Sequence, residues 1–306
     1  MKLRTRTALT AATITTALAL TGCASSDPLA QEDAASQSAS SEIVIGSQDY
    51  YSNEIIAEIY AQALEAQGHA VDRQFRIGQR EAYLPELEDG SIDLFPEYSG
   101  PLLQYWQPET PARLADDVYA ELVTAIPDGL RALDQSPATD QDSYVVTRAF
   151  ADQWNLATIA DLAKVTEPLT LGGNSEGENR PNGPQGLKNA YGVDVAFSPI
   201  EDGGGPLTVK ALADGDIQLA IIYTADPTIA ENDLVTLEDP SGLFLASHVV
   251  PLASDAVDQE AADTIDRISA AMAPEDLVAL NARSVDEQAP AATIAAEWLR
   301  AKNLMS

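Results

Sequence analysis

The chain has 306 residues, with 48 acidic and 17 basic side chains, and its formal net charge is −31. Nucleic-acid binding needs clustered Lys and Arg, so this charge balance argues against a nucleic-acid partner. The length suits roughly two ordinary domains or one protein of two lobes. Because Cys23 is the only cysteine, no internal disulfide can form.

The amino terminus has the layout of an export signal. Three basic residues precede an uncharged, small and apolar run over residues 7–20, and a signal peptide is predicted over residues 1–22. The segment Leu20-Thr21-Gly22-Cys23 resembles a bacterial lipobox, which implies cleavage before Cys23 and a lipid on its sulfur. Residues 23–41 are rich in Ser, Ala, Gln and Asp and are predicted to be a lipid-anchored flexible tether. No later apolar run is long enough to span a bilayer.

Strand and helix patterns alternate after the tether, which indicates an α/β protein with parallel strand pairing. Strands are predicted at residues 41–46, 70–77, 92–95, 130–133, 144–147, 169–171, 195–198, 217–222, 235–238 and 243–251. Helices are predicted at residues 52–67, 80–89, 111–125, 149–154, 158–164, 185–191, 207–213, 256–272, 275–286 and 291–302.

One pattern occurs twice. Residues 84–98 and residues 209–223 both read Leu-x-Asp-Gly-x-Ile-x-Leu-x-x-x-Tyr, typical of a helix end, an Asp-Gly turn and a short apolar strand. Two such units predict two similar lobes. Ligands of open α/β sheets bind beyond the carboxyl ends of strands, so Tyr98 and Tyr223 are expected to project into the cleft between the lobes.

The order of the elements predicts that one lobe is inserted into the other. Lobe I is expected to comprise residues 42–143 plus 247–306, and lobe II residues 144–246, with crossings near residues 142–144 and 245–248. Two crossings make a hinged cleft that can close over a ligand.

Signatures of catalysis are scarce. The two histidines, His69 and His248, share no metal-binding spacing, no nucleophile elbow occurs, and the glycines at 203–205 lack the ending of a phosphate-binding loop. We therefore expect no catalytic residue, metal or cofactor, although a carboxylate pair could be hidden among the many acidic residues. Tyrosines at strand ends and crossings favour capture of a quaternary ammonium through cation–π attraction.

Five short motifs, in order, make the chain similar to a known family. They are Ile45-Gly46-Ser47-Gln48, Pro96-Glu97-Tyr98-Ser99-Gly100, Asp142-Ser143-Tyr144, Arg180-Pro181-Asn182-Gly183 and Tyr223-Thr224-Ala225-Asp226. From residue 43 to about residue 304, the chain resembles the substrate-binding lipoproteins of osmoprotectant ABC transporters, which take glycine betaine, proline betaine, carnitine or choline. The resemblance implies a two-lobed, periplasmic-binding-protein-like (type II) α/β fold, with two crossings and a ligand cleft between the lobes.

The same resemblance implies roles for the matching residues. Tyr98, Tyr144 and Tyr223 would be walls of an aromatic cage, and Asp142 would place a carboxylate near the cationic head. Arg180 would hold a ligand carboxylate through its planar fork. Gln48 would face the polar end of the ligand.

Two positions depart from the family pattern. Pro101 stands where relatives often have a ligand-contacting Thr or Asp, and Ser247 stands where some relatives have a cage tyrosine. Tyr119 is a candidate for the missing ring, and His248 and Tyr51 are lesser candidates.

These observations predict the solute-binding component of an ABC importer. It would be a monomer, held by Cys23 on the extracytoplasmic face of the cell membrane, that delivers a quaternary amine or zwitterion to a permease and its ATPase. Three alternatives stay open: a binding lipoprotein for another zwitterion or an amino acid, a membrane-anchored enzyme on the same fold, and a sensory or adhesive lipoprotein.

Overall fold

A computed structural model of the chain describes residues 42–305. The predicted signal peptide, the tether and Cys23 lie outside the described residues and remain predictions. Within residues 42–305, no helix is both long enough and apolar enough to cross a membrane.

The described residues form ten strands, eleven α-helices and two 3-10 helices. The strands are β1 (Ile43–Gln48), β2 (Val71–Gly78), β3 (Leu94–Tyr98), β4 (Leu130–Ala132), β5 (Asp142–Thr147), β6 (Thr170–Gly173), β7 (Ala196–Pro199), β8 (Leu219–Tyr223), β9 (Leu234–Thr236) and β10 (Val249–Ser254). The helices are α1 (Tyr51–Ala66), α2 (Arg80–Glu88), α3 (Ser99–Trp106), α4 (Ala115–Ala125), α5 (Arg148–Trp154), α6 (Pro184–Tyr191), α7 (Pro206–Asp214), α8 (Thr228–Glu231), α9 (Gln259–Ala271), α10 (Pro274–Val285) and α11 (Ala291–Lys302). The 3-10 helices are Ile159–Lys164 and Ser175–Asn179.

The strands form two five-stranded mixed sheets of matching design. The first has the order β2-β1-β3-β10-β4 and the second the order β7-β6-β8-β5-β9. In each sheet the first three strands run parallel, and the fourth is antiparallel to the third. We call the part around the first sheet lobe I and the part around the second sheet lobe II, so the α/β expectation of two similar lobes is confirmed.

The sequence repeat occupies equivalent places in the two lobes. α2 leads into β3 and α7 leads into β8, and each of these strands is the middle strand of its sheet. Gly90 and Gly215, the glycines of the two Asp-Gly pairs, both have φ of 79°. This left-handed backbone conformation suits glycine and lets the chain turn from helix to strand. The two repeats therefore place Tyr98 and Tyr223 at corresponding strand ends.

Apolar side chains build a separate core in each lobe. In lobe I, α1 is buried along most of its surface, and its residues Ile55, Ile59 and Leu64 are fully buried. In lobe II, Leu171 and Leu219 lie in a cluster under the second sheet. The two cores hold the strand ends of both sheets in place.

The strands of the first sheet come from two parts of the chain. β1 to β4 precede the segment that forms the second sheet, and β10 follows it. Residues 133–141 and 237–248 therefore connect the two sheets. Asp142 and Ser143, expected in lobe I, instead pair with Tyr223 and Ile222 of β8, because β5 begins two residues before the predicted strand.

Other elements also differ from expectation. α3, α8 and the 3-10 helix Ser175–Asn179 were not predicted. In α3, Pro101 fits the first turn because proline lacks the N–H that a helix start leaves unpaired. The predicted strand over residues 243–251 begins only at Val249, since Phe244 and Leu245 are buried without joining a strand. The helix predicted at residues 158–164 is a 3-10 helix.

Candidate functional site

The cleft brings tyrosine rings from both lobes together. Tyr50, between β1 and α1 of lobe I, stacks on Tyr223 of lobe II with ring centroids 4.9 Å apart and ring planes at 25°. Tyr98 lies in the same buried cluster as Tyr50. Beside them, Tyr51 donates a 2.7 Å hydrogen bond to Asp226, which is a further contact between the lobes. Two of the predicted cage tyrosines, Tyr98 and Tyr223, therefore lie together.

Three buried polar atoms near these rings have no hydrogen-bond partner among the described residues. They are the Tyr98 hydroxyl, Gln48 Nε2 and Ser52 Oγ. The Tyr98 hydroxyl lies close to the Tyr50 and Ser52 hydroxyls without good hydrogen-bond geometry. Leaving a buried donor or acceptor unpaired costs about 1–3 kcal/mol, so these three groups are candidates for contact with a ligand.

Asn53 holds the ends of β1 and β3 in register beneath these groups. Its Oδ1 accepts a 2.8 Å hydrogen bond from the Gln48 backbone N–H, and its Nδ2 donates a 2.7 Å bond to the Pro96 carbonyl. Asn53 is fully buried. The positions of Gln48 and Tyr98 are thereby fixed relative to each other.

Asp140 supplies a buried carboxylate to this cluster, and sequence reasoning missed it. The residue is 3% exposed, and its Oδ1 accepts a 2.9 Å hydrogen bond from the Ala225 backbone N–H. Burial raises the pKa of Asp140 to about 8; the Ala225 N–H lowers it, and the nearby carboxylates of Asp226 and Asp142 raise it further. The available signal in the sequence was an acidic residue in the segment that connects the two sheets, two residues before Asp142.

Asp142 stands at the cleft opposite Tyr223, its register partner in the second sheet. Asn182 Nδ2 donates a 2.9 Å hydrogen bond to Asp142 Oδ2. The Tyr144 hydroxyl in turn donates a 2.7 Å bond to the Asn182 carbonyl. This chain of contacts fixes the Asp142 carboxylate in the cleft wall.

Tyr144 is fully buried in the core of lobe II. Its ring meets Phe244 edge to face, with centroids 4.9 Å apart. Tyr144 thus contacts Asn182, which in turn holds Asp142. Its predicted place as a cage wall stays a prediction.

Arg180 reaches from lobe II to lobe I. Its Nη2 lies 3.2 Å from Gln79 Oε1 and 3.1 Å from Glu81 Oε2. Gln79 precedes α2, and Glu81 lies in the first turn of α2. The guanidinium predicted to hold a ligand carboxylate therefore contacts a carboxylate of the protein itself.

Two interlobe cavities lie beside Arg180, and the one that reaches Tyr223 is small. Its volume is about 20 Å³, close to the minimum that holds one water molecule. Gly203 and Gly204 border it, and a Cβ on Gly204 would stand 3.1 Å from the Ile221 carbonyl. Gly204 therefore packs closely against β8. The other lining residues are Gln79, Asp142, Asn174, Gly177, Arg180, Asn182, Ile221 and Tyr223.

The side chains of Tyr119, Ser247 and His248, the lesser candidates, each contact a backbone carbonyl of the protein. Tyr119 donates its hydroxyl to the Leu133 carbonyl at 3.0 Å and packs against a core cluster of lobe I. Ser247 is buried and donates a 3.2 Å hydrogen bond to the Asp140 carbonyl, and His248 Nδ1 lies 2.8 Å from the Ser136 carbonyl. Ser247 thus supports Asp140, whereas Tyr119 has a packing role. Within residues 42–305, no group of His, Cys, Asp and Glu side chains is arranged to hold a metal ion.

The sequence is similar to that of known binding proteins. It is 24% identical over 279 residues to the glycine betaine-binding protein YehZ of Escherichia coli strain K12, covering 86% of this chain and 92% of that protein. It is 27% identical over 164 residues to the carnitine transport binding protein OpuCC of Listeria monocytogenes, covering 52% of this chain and 53% of that protein.

The fold is similar to that of solved binding proteins with two lobes. A glycine betaine/carnitine/choline ABC transporter structure has a TM-score of 0.69 at 22% identity and covers 87% of this chain and 100% of that one. A choline-binding protein in complex with choline has a TM-score of 0.64 at 13% identity and covers 87% of this chain and 90% of that one. At these identities the similarity shows the two-lobed fold alone.

A family match covers most of the chain. Residues 41–301 match the OpuAC family, described as the substrate binding domain of ABC-type glycine betaine transport systems. The chain therefore belongs to the OpuAC family of substrate-binding components of ABC transporters.

Proposed function

We propose that this protein captures a quaternary-ammonium compatible solute outside the cytoplasm and delivers it to the permease of an ABC importer. The candidate solutes are glycine betaine, proline betaine, carnitine and choline. Membership of the OpuAC family supports the transport role. The observation that carries the choice of ligand class is the meeting of tyrosine rings from both lobes beside a buried carboxylate.

The chemistry of the cluster suits a quaternary ammonium. Such a head group donates no hydrogen bonds and is held by the electron-rich faces of aromatic rings, each desolvated ring contributing about 2 kcal/mol. Tyr50, Tyr98 and Tyr223 offer three rings, the carboxylate of Asp142 adds negative charge beside them, and Asp140 adds a second charge once it loses its proton. The ammonium would lie among these groups, with Gln48 toward its polar end.

Closure of the lobes follows from the same arrangement. Tyr50 belongs to lobe I and Tyr223 to lobe II, so separation of the lobes parts the two rings and admits the solute. Rings 4.9 Å apart leave no room between them, so a bound cation would replace the direct Tyr50–Tyr223 contact. A cation that contacts rings of both lobes at once binds a closed form more tightly than the open form, and it therefore shifts the protein toward closure. We propose that the permease recognises this closed form.

The remaining assignments extend this proposal. The protein would bind and release its solute unchanged, without catalysis, and would act as a monomer. Cys23 would carry a lipid that holds it on the extracytoplasmic face of the membrane, with residues 23–41 as the tether. Lobe I would comprise residues 42–141 and 245–305, and lobe II residues 142–244, bounds that follow the sheet membership of Asp142.

Isothermal titration calorimetry with the four candidate solutes tests the proposal. At least one should bind with a stoichiometry of one, and chromatography should recover it chemically unchanged. Proline and glutamine are matched controls for a zwitterion and an amino acid without a quaternary nitrogen. Binding of either control in preference to all four solutes, turnover of a bound solute, or no binding at all would each refute it.

A further inference from the structure

The cationic side chains at the rim of the cleft already have carboxylate partners within the protein. Arg180 Nη2 lies 3.1 Å from Glu81 Oε2. Arg80 forms a bidentate pair with Glu97, in which Nε donates to Oε1 and Nη2 to Oε2, both at 2.8 Å. Both arginines and Glu81 border the same cavity of about 170 Å³ on the outer side of the cleft. A ligand carboxylate therefore meets guanidinium groups that are already paired.

The two pairs differ in how easily they open. Arg80 and Glu97 have side chains that are 6% and 0% exposed, and Glu97 also accepts hydrogen bonds from the Tyr83 hydroxyl and the Tyr98 backbone N–H. Breaking such a buried pair is strongly unfavourable. Arg180 and Glu81 are 20% and 45% exposed, and solvent can replace their contact. Arg180 is thus the guanidinium that a ligand can engage.

Glu81 is held in its ionised form. Burial alone would raise its pKa, but the opposing influences of Arg180, a backbone N–H and Arg80 outweigh burial and lower the pKa. The first turn of α2 also favours a negative charge at this position through the helix dipole. At neutral pH, Glu81 therefore presents to Arg180 the same chemical group as the carboxylate of a betaine.

We propose that Glu81 is a specificity-determining residue that competes with the carboxylate of a zwitterionic solute for Arg180. This inference rests on the proposed function. Gln79 and Glu81 both contact Nη2 of Arg180, so a zwitterion whose carboxylate pairs with this nitrogen displaces Glu81 and gains one ion pair while another is lost. A quaternary ammonium cation without a carboxylate, such as choline, needs only the rings and the aspartates and leaves the Arg180–Glu81 pair intact. Glu81 thereby favours choline-like cations over betaines.

Calorimetric titration of choline and glycine betaine into the wild type, Glu81→Gln and Glu88→Gln tests the proposal. Glu88 is the exposed last residue of α2, so its variant removes the same charge from the same helix. Wild type should bind choline more tightly than glycine betaine. Glu81→Gln should tighten glycine betaine binding by about threefold to fivefold, since exposed ion pairs contribute up to about 1 kcal/mol. Choline binding should change by less than about twofold, and Glu88→Gln should change neither affinity.

Other affinities of these proteins for choline and glycine betaine would contradict the proposal. An unchanged ratio of the two affinities in Glu81→Gln would overturn this inference and leave the proposed function in place. Equal weakening of both ligands would also overturn it, because Glu81 would then stabilise closure without discriminating between solutes. Failure of all three proteins to bind either ligand would overturn this inference, and failure of the wild type to bind proline betaine and carnitine as well would overturn the proposed function.

Discussion

Tyr50 of lobe I and Tyr223 of lobe II stack face to face, with ring centroids 4.9 Å apart. The pair joins the loop after β1 to the end of β8, two segments about 170 residues apart in the sequence. Aromatic stacking stabilises the closed arrangement by about 0.5–1.5 kcal/mol beyond the apolar area buried. The same two rings would flank a bound ammonium group.

Removal of the Tyr223 ring should weaken cation binding. We expect Tyr223→Ala to reduce the affinity for the best-bound quaternary amine by about thirtyfold, since one well-placed ring contributes about 2 kcal/mol. Tyr223→Phe retains the ring and should bind within about threefold of wild type, because the phenyl face still attracts the cation. Calorimetry measures both, with Tyr105→Ala as a control at a partly exposed ring of α3. Equal affinities of Tyr223→Ala and wild type would contradict the cage.

Binding of a cation should strengthen as pH rises toward 8. The pKa of Asp140 is raised to about 8, mainly by burial, so the carboxyl is protonated at lower pH and must lose its proton to attract a cation. The titratable groups around it are Tyr50, Tyr51, Tyr98, Tyr223, Asp142 and Asp226. Burial raises the pKa of Tyr50 and of Tyr98 well above the ordinary value, so both stay neutral.

The measurement is an affinity profile from pH 5.5 to pH 9. The affinity of wild type should rise by up to about tenfold per pH unit below pH 8 and then level off. Asp140→Asn should flatten the profile, and Asp128→Asn, at an exposed position, should leave it unchanged. A wild-type profile without slope would show that Asp140 does not face the ligand.

The same carboxyl predicts how folding stability changes with pH. The pKa of an unfolded aspartate is about 3.9, so the folded protein binds one more proton than the unfolded chain between about pH 4 and pH 8. The contribution of Asp140 to stability is full below about pH 4 and is lost as pH rises through about 8. Urea unfolding at pH 5, 7 and 9 should show a smaller decline for Asp140→Asn than for wild type. An equal decline in both would contradict the raised pKa.

Tyr144→Phe should lower the free energy of unfolding and reduce ligand affinity less than Tyr223→Ala does. The change removes the hydrogen bond to the Asn182 carbonyl while retaining the ring that packs on Phe244. We expect the free energy of unfolding to fall by about 1–3 kcal/mol, because the Asn182 carbonyl loses its buried partner. Urea unfolding measures this loss. Ligand affinity should fall less than in Tyr223→Ala; a greater fall would indicate direct contact between the Tyr144 hydroxyl and the ligand.

The two turn glycines should respond alike to substitution. Gly90→Ala and Gly215→Ala each place a Cβ in open space, with no heavy atom within 4 Å, so the backbone conformation alone determines the effect. Each should lower the free energy of unfolding by about 1–2 kcal/mol, because alanine disfavours a φ of 79°. Chemical unfolding checks this, with the exposed Glu88→Ala as a control. Losses that differ widely between the two glycines would argue against equivalent turns.

The sequence repeat shows which features of the fold can be predicted from short segments of this chain. Helix, Asp-Gly turn and apolar strand depend on side-chain periodicity and on the backbone freedom of glycine, which are properties of short segments. These properties predicted the α/β order of the elements, two similar lobes and the places of Tyr98 and Tyr223 at strand ends. α3 was missed because its start at Ser99 follows a strand directly, without a separating loop.

The sequence by itself determined the class of fold, the order of most elements and the family motifs that lie around the cleft. Only the tertiary structure decided that Tyr50 meets Tyr223, that Asp140 is buried beside them and that Glu81 contacts Arg180. Each of these relations joins residues far apart in the chain. Burial and pairing depend on how the lobes pack, because desolvation and ion pairing act through distance in space and leave no periodic signal along the sequence.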